Sequence, residues 1–110
     1  MTAQQLQELA QRSQQAILND QFRKSGFGVT LTCGVQSVQD LPGLLQAIQE
    51  FDKFTEGNDP WHEHDFGKLD WYGDKVFWKI DYYNQTLSVW EDPESDKCQR
   101  VMTVMLAEEY

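Results

Sequence analysis

Apolar and polar positions divide the chain into a helical first half and a strand-rich second half. Over residues 3–22, Leu6, Leu9, Ala10, Ser13, Ala16, Ile17 and Asp20 recur at three- and four-residue steps, and no Pro or Gly interrupts them. That spacing predicts an amphipathic helix, with Gln, Glu and Arg on its solvated side. Ser25-Gly26 ends it. Phe27 to Val35 then alternates as a strand, with Val29, Leu31, Cys33 and Val35 on one side and Thr30, Thr32 and Gly34 on the other. A second helix is expected over roughly 40–54. Asp40 can cap it, Pro42 is tolerated in its first turn, and Leu41, Leu44, Leu45, Ile48 and Phe51, with Phe54 outermost, form the buried stripe.

Three strands joined by tight turns are expected after residue 67. With Gly73-Asp74 as a two-residue hairpin loop, Tyr72 faces Lys75, Trp71 faces Val76 and Leu69 faces Trp78. With Asn84-Gln85 as the next, Tyr83 faces Thr86, Tyr82 faces Leu87 and Ile80 faces Val89. Both registers put Leu69, Trp71, Val76, Trp78, Ile80, Tyr82, Leu87 and Val89 on one face. The other face carries Lys68, Asp70, Tyr72, Lys75, Phe77, Lys79, Asp81, Tyr83, Ser88 and Trp90, with Lys79 across from Trp90 as a cation–π pair. Four aromatics among these charges exceed what plain solvation explains, so the central loop and C-terminal tail, or else a partner, should cover them. Residues 92–97 form an acidic turn. Residues 99–107 are apolar in both alternating rows, which fits a central strand buried on both sides. The expected order is α-β-α-β-β-β-β: one α+β domain over residues 1–110, a mostly antiparallel sheet with two helices packed on one face.

Charge changes this picture more than composition does. With 40% hydrophobic and 13% aromatic residues, 110 residues suffice for one modest core. The formal charge of −9 is uneven: residues 1–54 hold four basic and five acidic side chains, and residues 55–110 hold five and thirteen. Such a field disfavours nucleic acid and anionic membranes and favours basic surfaces; solubility is the simpler explanation. No apolar run reaches the roughly 18 residues of a membrane span, and the Gln-rich start lacks a signal peptide's apolar segment, so a cytoplasmic location is expected. Cys33 and Cys98 lie far apart without a CxxC spacing and read as two reduced small residues.

The chemistry concentrates in residues 58–67, Asn58-Asp59-Pro60-Trp61-His62-Glu63-His64-Asp65-Phe66-Gly67. Pro60 and the residues before it favour an ordered turn. His62 and His64, if extended, point two imidazoles one way, a start for a Zn or Fe site that Asp59, Asp65, Glu63 or Asp81 could complete. Against an enzyme, there is no HExxH and no third His, and no Ser or Cys has a neighbouring base. The reading that leads is structural: Asn58, Asp59, Pro60, His64, Asp65 and Gly67 hold a closed loop, with no cofactor.

Four blocks also resemble one known family. They are Asn19-Asp20-Gln21-Phe22-Arg23; Asn58-Asp59-Pro60 with Glu63-His64-Asp65-Phe66-Gly67; Trp78-Lys79-Ile80-Asp81-Tyr82-Tyr83; and the ending from Arg100 to Tyr110. They look like a family of small uncharacterised bacterial proteins, a domain of unknown function carried on plasmids, phages and other mobile elements. The resemblance covers nearly the whole chain and implies a genomic setting rather than a chemistry. In that family the position of His62 is usually Gly and that of Trp61 another aromatic, which weakens any mechanism needing both histidines.

Charge and setting together point to an interaction protein that occupies the basic nucleic-acid-binding surface of a host defence component, CRISPR or restriction, as a phosphate mimic. Its contact pool is Glu56, Asp59, Glu63, Asp65, Asp70, Asp74, Glu91, Asp92, Glu94 and Asp96, with Tyr72, Phe77, Tyr83 and Trp90 as aromatic anchors. Neither direct nucleic-acid binding nor a membrane is expected, and a homodimer is compatible. The alternatives are a metal-dependent enzyme built on His62 and His64, or an accessory protein of plasmid maintenance or transfer.

Overall fold

The computed structural model describes residues 2–110, with the side chains of all of these except residues 5–13. Helix α1 spans Ala3–Ser25, strand β1 Val29–Leu31, helix α2 Leu41–Gln49, β2 Phe66–Trp71, β3 Asp74–Tyr83 and β4 Gln99–Leu106. Short 3₁₀ turns lie at Val35–Ser37 and Ala107–Glu109. The four strands form one sheet in the order β1-β4-β3-β2, with β1 parallel to β4 and the other pairs antiparallel. The class is α+β, with both helices against one face of a mostly antiparallel sheet. Among the described residues, no helix is long and apolar enough to cross a membrane.

The core lies between that face and α2. Leu44 and Ile48 of α2 meet Val76, Trp78 and Ile80 of β3 and Met102 and Val104 of β4, all fully or almost fully buried. The strand alternation read from sequence puts Trp78, Ile80, Met102 and Val104 on this shared face. It also places β4 centrally, with Met105 buried on the other side. Asp40 caps α2, its Oδ1 accepting from Gly43 N at 3.1 Å, with Pro42 in the first turn as expected. The helix stops at Gln49, short of Phe54; Phe51 and Phe54 still reach the core from the extended segment that follows.

Five local expectations need correction. The β2–β3 turn is Tyr72-Gly73 rather than Gly73-Asp74, so Trp71 faces Asp74 and Leu69 faces Val76. Tyr72 and Gly73 have φ of 46° and 87°. A two-residue turn with both centres at positive φ favours Gly in its second place, and the resulting two-residue slip leaves every side chain on its expected face. The meander's third strand does not form. Asn84 Oδ1 accepts from Ser88 N (2.9 Å) and Val89 N (3.4 Å), Leu87 turns to φ 59°, and only an isolated Tyr83–Trp90 bridge remains. Leu87, Val89 and Trp90 are therefore exposed, and β4 takes the place beside β3, with Ile80 opposite Met102. Lys79 accordingly faces Thr103 and pairs with Asp81 at 3.0 Å, which replaces the expected contact with Trp90. Strand β1 is cut to three residues, leaving Phe27 and Cys33 exposed, while Val35 is buried from a 3₁₀ turn. On α1, Ala16 is buried as expected but Ile17 is 49% exposed. Leu6, Leu9, Ala10 and Ser13 lie outside the described side chains.

Candidate functional site

The inner face of α1 presents polar groups where the sequence pattern suggested an apolar stripe. Asn19 and Arg23, one helical turn apart, are 0% and 1% exposed, and Asp20 stands beside them. Arg23 cannot be left unpaired at that depth. Its Nε and Nη2 donate to the carbonyls of Ile48 and Phe51, both at 3.0 Å, and its Nη1 donates to Asp20 at 2.9 Å. The guanidinium also lies 5.1 Å from the ring centre of Trp78 and 5.5 Å from that of Phe54. It thereby ties α1 to the end of α2, sharing the Ile48 carbonyl with Phe51 N (3.2 Å) and holding the Phe51 carbonyl just beyond the helix.

The central loop packs onto this helix face. Asp59, 5% exposed, accepts from the backbone N–H groups of Glu63 (2.9 Å) and His64 (3.2 Å) through Oδ1, closing the loop on itself. His64 turns inward and stacks on Phe54 with ring centres 3.8 Å apart. Its Nδ1 lies 3.1 Å from both oxygens of Asp20, and its Nε2 3.5 Å from Oδ2 of Asp59. That Asp59 oxygen is buried without a hydrogen bond, so the imidazole edge is its nearest compensation.

A second set of bonds ties the loop to the sheet. Tyr82 donates to Asp65 Oδ2 at 3.1 Å and accepts from Asn19 Nδ2 (2.8 Å) and Gln15 Nε2 (3.0 Å). Asn19 Nδ2 also donates to the Glu63 carbonyl at 2.9 Å, and Asn19 Oδ1 accepts from Arg100 Nε at 2.7 Å. Burial pushes the Tyr82 hydroxyl well above the ordinary tyrosine range; the bonds from Gln15 and Asn19 work against this, and Asp65 adds to it.

The loop is therefore a clasp joining α1, the end of α2, β3 and β4. Of the loop side chains expected to bond loop backbone, Asp59 does so, whereas those of His64 and Asp65 engage Asp20 and Tyr82. The structure does not assemble the alternative metal set of His62, His64, Asp59 and Asp65. The H-x-H argument needed extended backbone, but His62 and His64 both have positive φ, 55° and 56°, and His62 is exposed. Asp20 and Asp59 approach opposite edges of the His64 ring, Asp65 is engaged by Tyr82, and Asp81 is engaged by Lys79. Among the described residues, no group of three or more His, Cys, Asp or Glu side chains could hold a metal ion.

The expected partner-contact residues fall into separate places. Asp59 and Asp65 belong to the clasp. Asp70 and Asp74 lie on the β2–β3 hairpin, where Asp70 is directly opposite Lys75 and Lys68 is close by in sequence. Phe77 is half-buried, its ring 5.5 Å from Phe66 and 5.8 Å from Tyr110, so the C-terminal tail covers part of the outward row. The central loop lies on the helix side instead. Tyr72 and Trp90 sit at opposite ends of β3, a strand about 30 Å long, and so belong to no common patch. Glu56 is exposed in the central loop, and Tyr83 is half-buried at the end of β3. Glu91, Asp92, Glu94 and Asp96 follow Trp90 on the β3–β4 connection.

Asn19, Arg23, Gln15 and Arg100 carry much of the clasp and were missed as site residues. One signal was available: Asp20 fell on the expected apolar stripe of α1, and a carboxylate there calls for a buried partner. Cys33 and Cys98 are both free thiols, and burial pushes that of Cys98 up.

No curated protein and no solved structure matches the chain. Residues 31–109 match the family described as a protein of unknown function (DUF3768), and the chain belongs to that family.

Proposed function

We propose that this is a small acidic interaction protein, without catalysis of its own, that occupies a basic nucleic-acid-binding surface of a partner. The observation that carries this reading is the connection between β3 and β4. There Leu87, Val89 and Trp90 are 52%, 60% and 68% exposed and run directly into Glu91, Asp92, Glu94 and Asp96. An exposed indole beside four carboxylates supplies an anchor and a phosphate-like row in one segment. Among the bonds that shape the segment, Asp92 accepts from Glu94 N at 2.9 Å, and Arg100 donates to the Pro93 carbonyl. In the mobile-element setting that the resemblance implies, the partner is a CRISPR or restriction component of the host.

Affinity capture with the tagged protein from a host with intact defence systems, followed by an interference assay, tests this. A basic nucleic-acid-binding protein should be recovered and its activity suppressed. Reversing Asp92, Glu94 and Asp96 to Lys should slow association and flatten its salt dependence. Trp90→Ala should instead raise the off-rate, by about tenfold or more. Recovery of no basic partner, with interference unchanged, defeats the reading and leaves an accessory role in plasmid maintenance or transfer.

A further inference from the structure

We propose that the free edge of β2 pairs antiparallel with β2 of a second copy of the chain, in the register that sets Lys68 opposite Asp70 of that copy. The interface is separate from the acidic β3–β4 connection. Strand β2 is the outer strand on its side of the sheet. Asp65 accepts from Ile80 N at 2.8 Å, and the two-residue turn at Tyr72-Gly73 closes on Trp71 and Asp74. Inward and outward backbone groups alternate along an antiparallel edge strand. Gly67, Leu69 and Trp71 therefore bond to β3, while the N–H and C=O groups of Phe66, Lys68 and Asp70 point away from the sheet.

A second β2 can satisfy those groups only by placing outward-pointing residues opposite one another, which leaves few registers. One sets Lys68 against Lys68 and another sets Asp70 against Asp70; like charges directly opposite destabilise a strand pair. Between them lies the register with Lys68 opposite Asp70 twice over, which is also two-fold symmetric, as a closed dimer requires. It centres on Leu69 against Leu69 and places Trp71 opposite Gly67, which has no side chain of its own and is covered by the indole of Trp78. Leu69 and Trp71 border a hollow of about 560 Å³ between β2 and the end of α2, lined also by Ala47, Glu50, Phe51, Asp52 and Lys53. The second copy's Leu69 enters that hollow beside the first. Lys68 and Asp70 are both exposed on the outward face, where their charges meet across the pair.

Charge exchange tests the register itself. The unmodified protein should sediment as a dimer at high micromolar concentration. Lys68→Asp and Asp70→Lys should each weaken the dimer by about tenfold or more, because each turns two attractive pairs into two repulsive ones. Both sites are exposed, so each variant should keep its melting temperature within a few degrees. Mixing the two variants in equal amounts should restore dimers, all of them mixed. An edge with carboxylates at both positions then meets an edge with ammonium groups at both, and every cross-strand pair is attractive. A protein that stays monomeric at millimolar concentration overturns the proposal. A dimer indifferent to both substitutions, or variants that fail to recombine, also overturns it and points to another interface or another register.

Discussion

The side chain of Tyr82 shows how the clasp ties stability to protonation. Its hydroxyl joins Gln15, Asn19 and Asp65, which come from the first helix and the central loop. Burial raises its folded-state pKa above the unfolded value of about 10. The stability linked to this group is thus fully present below that value and is lost as pH rises towards the folded pKa, because only the unfolded chain releases the proton in between. Tyr82→Phe removes the hydroxyl and should cost about 1–2 kcal/mol at neutral pH, chiefly by leaving Asp65 without its donor. The variant also loses the alkaline sensitivity. The gap in melting temperature between the two proteins should therefore narrow as pH rises above about 10. A gap that stays constant would show that Tyr82 ionises equally in both states.

Among the elements, β3 offers the sharpest check of register. Ile80 is 3% exposed opposite Met102, while Lys79 points outward and is 40% exposed. Ile80→Asp drives a carboxylate into the apolar layer and should cost at least about 3 kcal/mol. Lys79→Asp loses only a solvent-screened pair with Asp81 and should cost about 1 kcal/mol or less. Equal losses in chemical denaturation would place β3 one residue out of register. The faces of β2 and β3 were legible because alternation survives a two-residue error in the turn. The third meander strand was misread because residues 86–90 alternate as a strand does, yet Asn84 captures their backbone N–H groups locally. The eight residues of β4 then offer β3 a longer ladder. The clasp was half legible: Asp59 and His64 declared themselves through loop composition, but Asp20 is 44 residues from His64. Asn19 and Arg23 sit on a helix whose spacing suggested only hydrophobic burial. Their role depends on where α2 stops, which its apolar stripe, continuing to Phe54, does not reveal.

Across the whole molecule, two kinds of contact should respond to salt in opposite directions. Each copy carries −9, so two copies approaching edge to edge repel at long range, although Lys68 and Asp70 attract at contact. The shortest extent of the molecule is 23 Å. That distance lies within the Debye length of about 30 Å at 0.01 M salt and well beyond the length of about 8 Å at 0.15 M. Raising salt over this range should remove the net repulsion while weakening the exposed contact pairs far less, because their charges stand closer than a Debye length. Dimerisation should therefore strengthen from about 0.01 to 0.15 M salt and then level off. Docking of the β3–β4 connection on a basic partner should weaken over the same interval, because there the long-range term is attractive. Sedimentation at several salt concentrations reads the first slope, and association kinetics with the captured partner read the second. A dimer that weakens steadily with salt would mean that acidic and basic patches, rather than the paired backbone edge, hold the copies together.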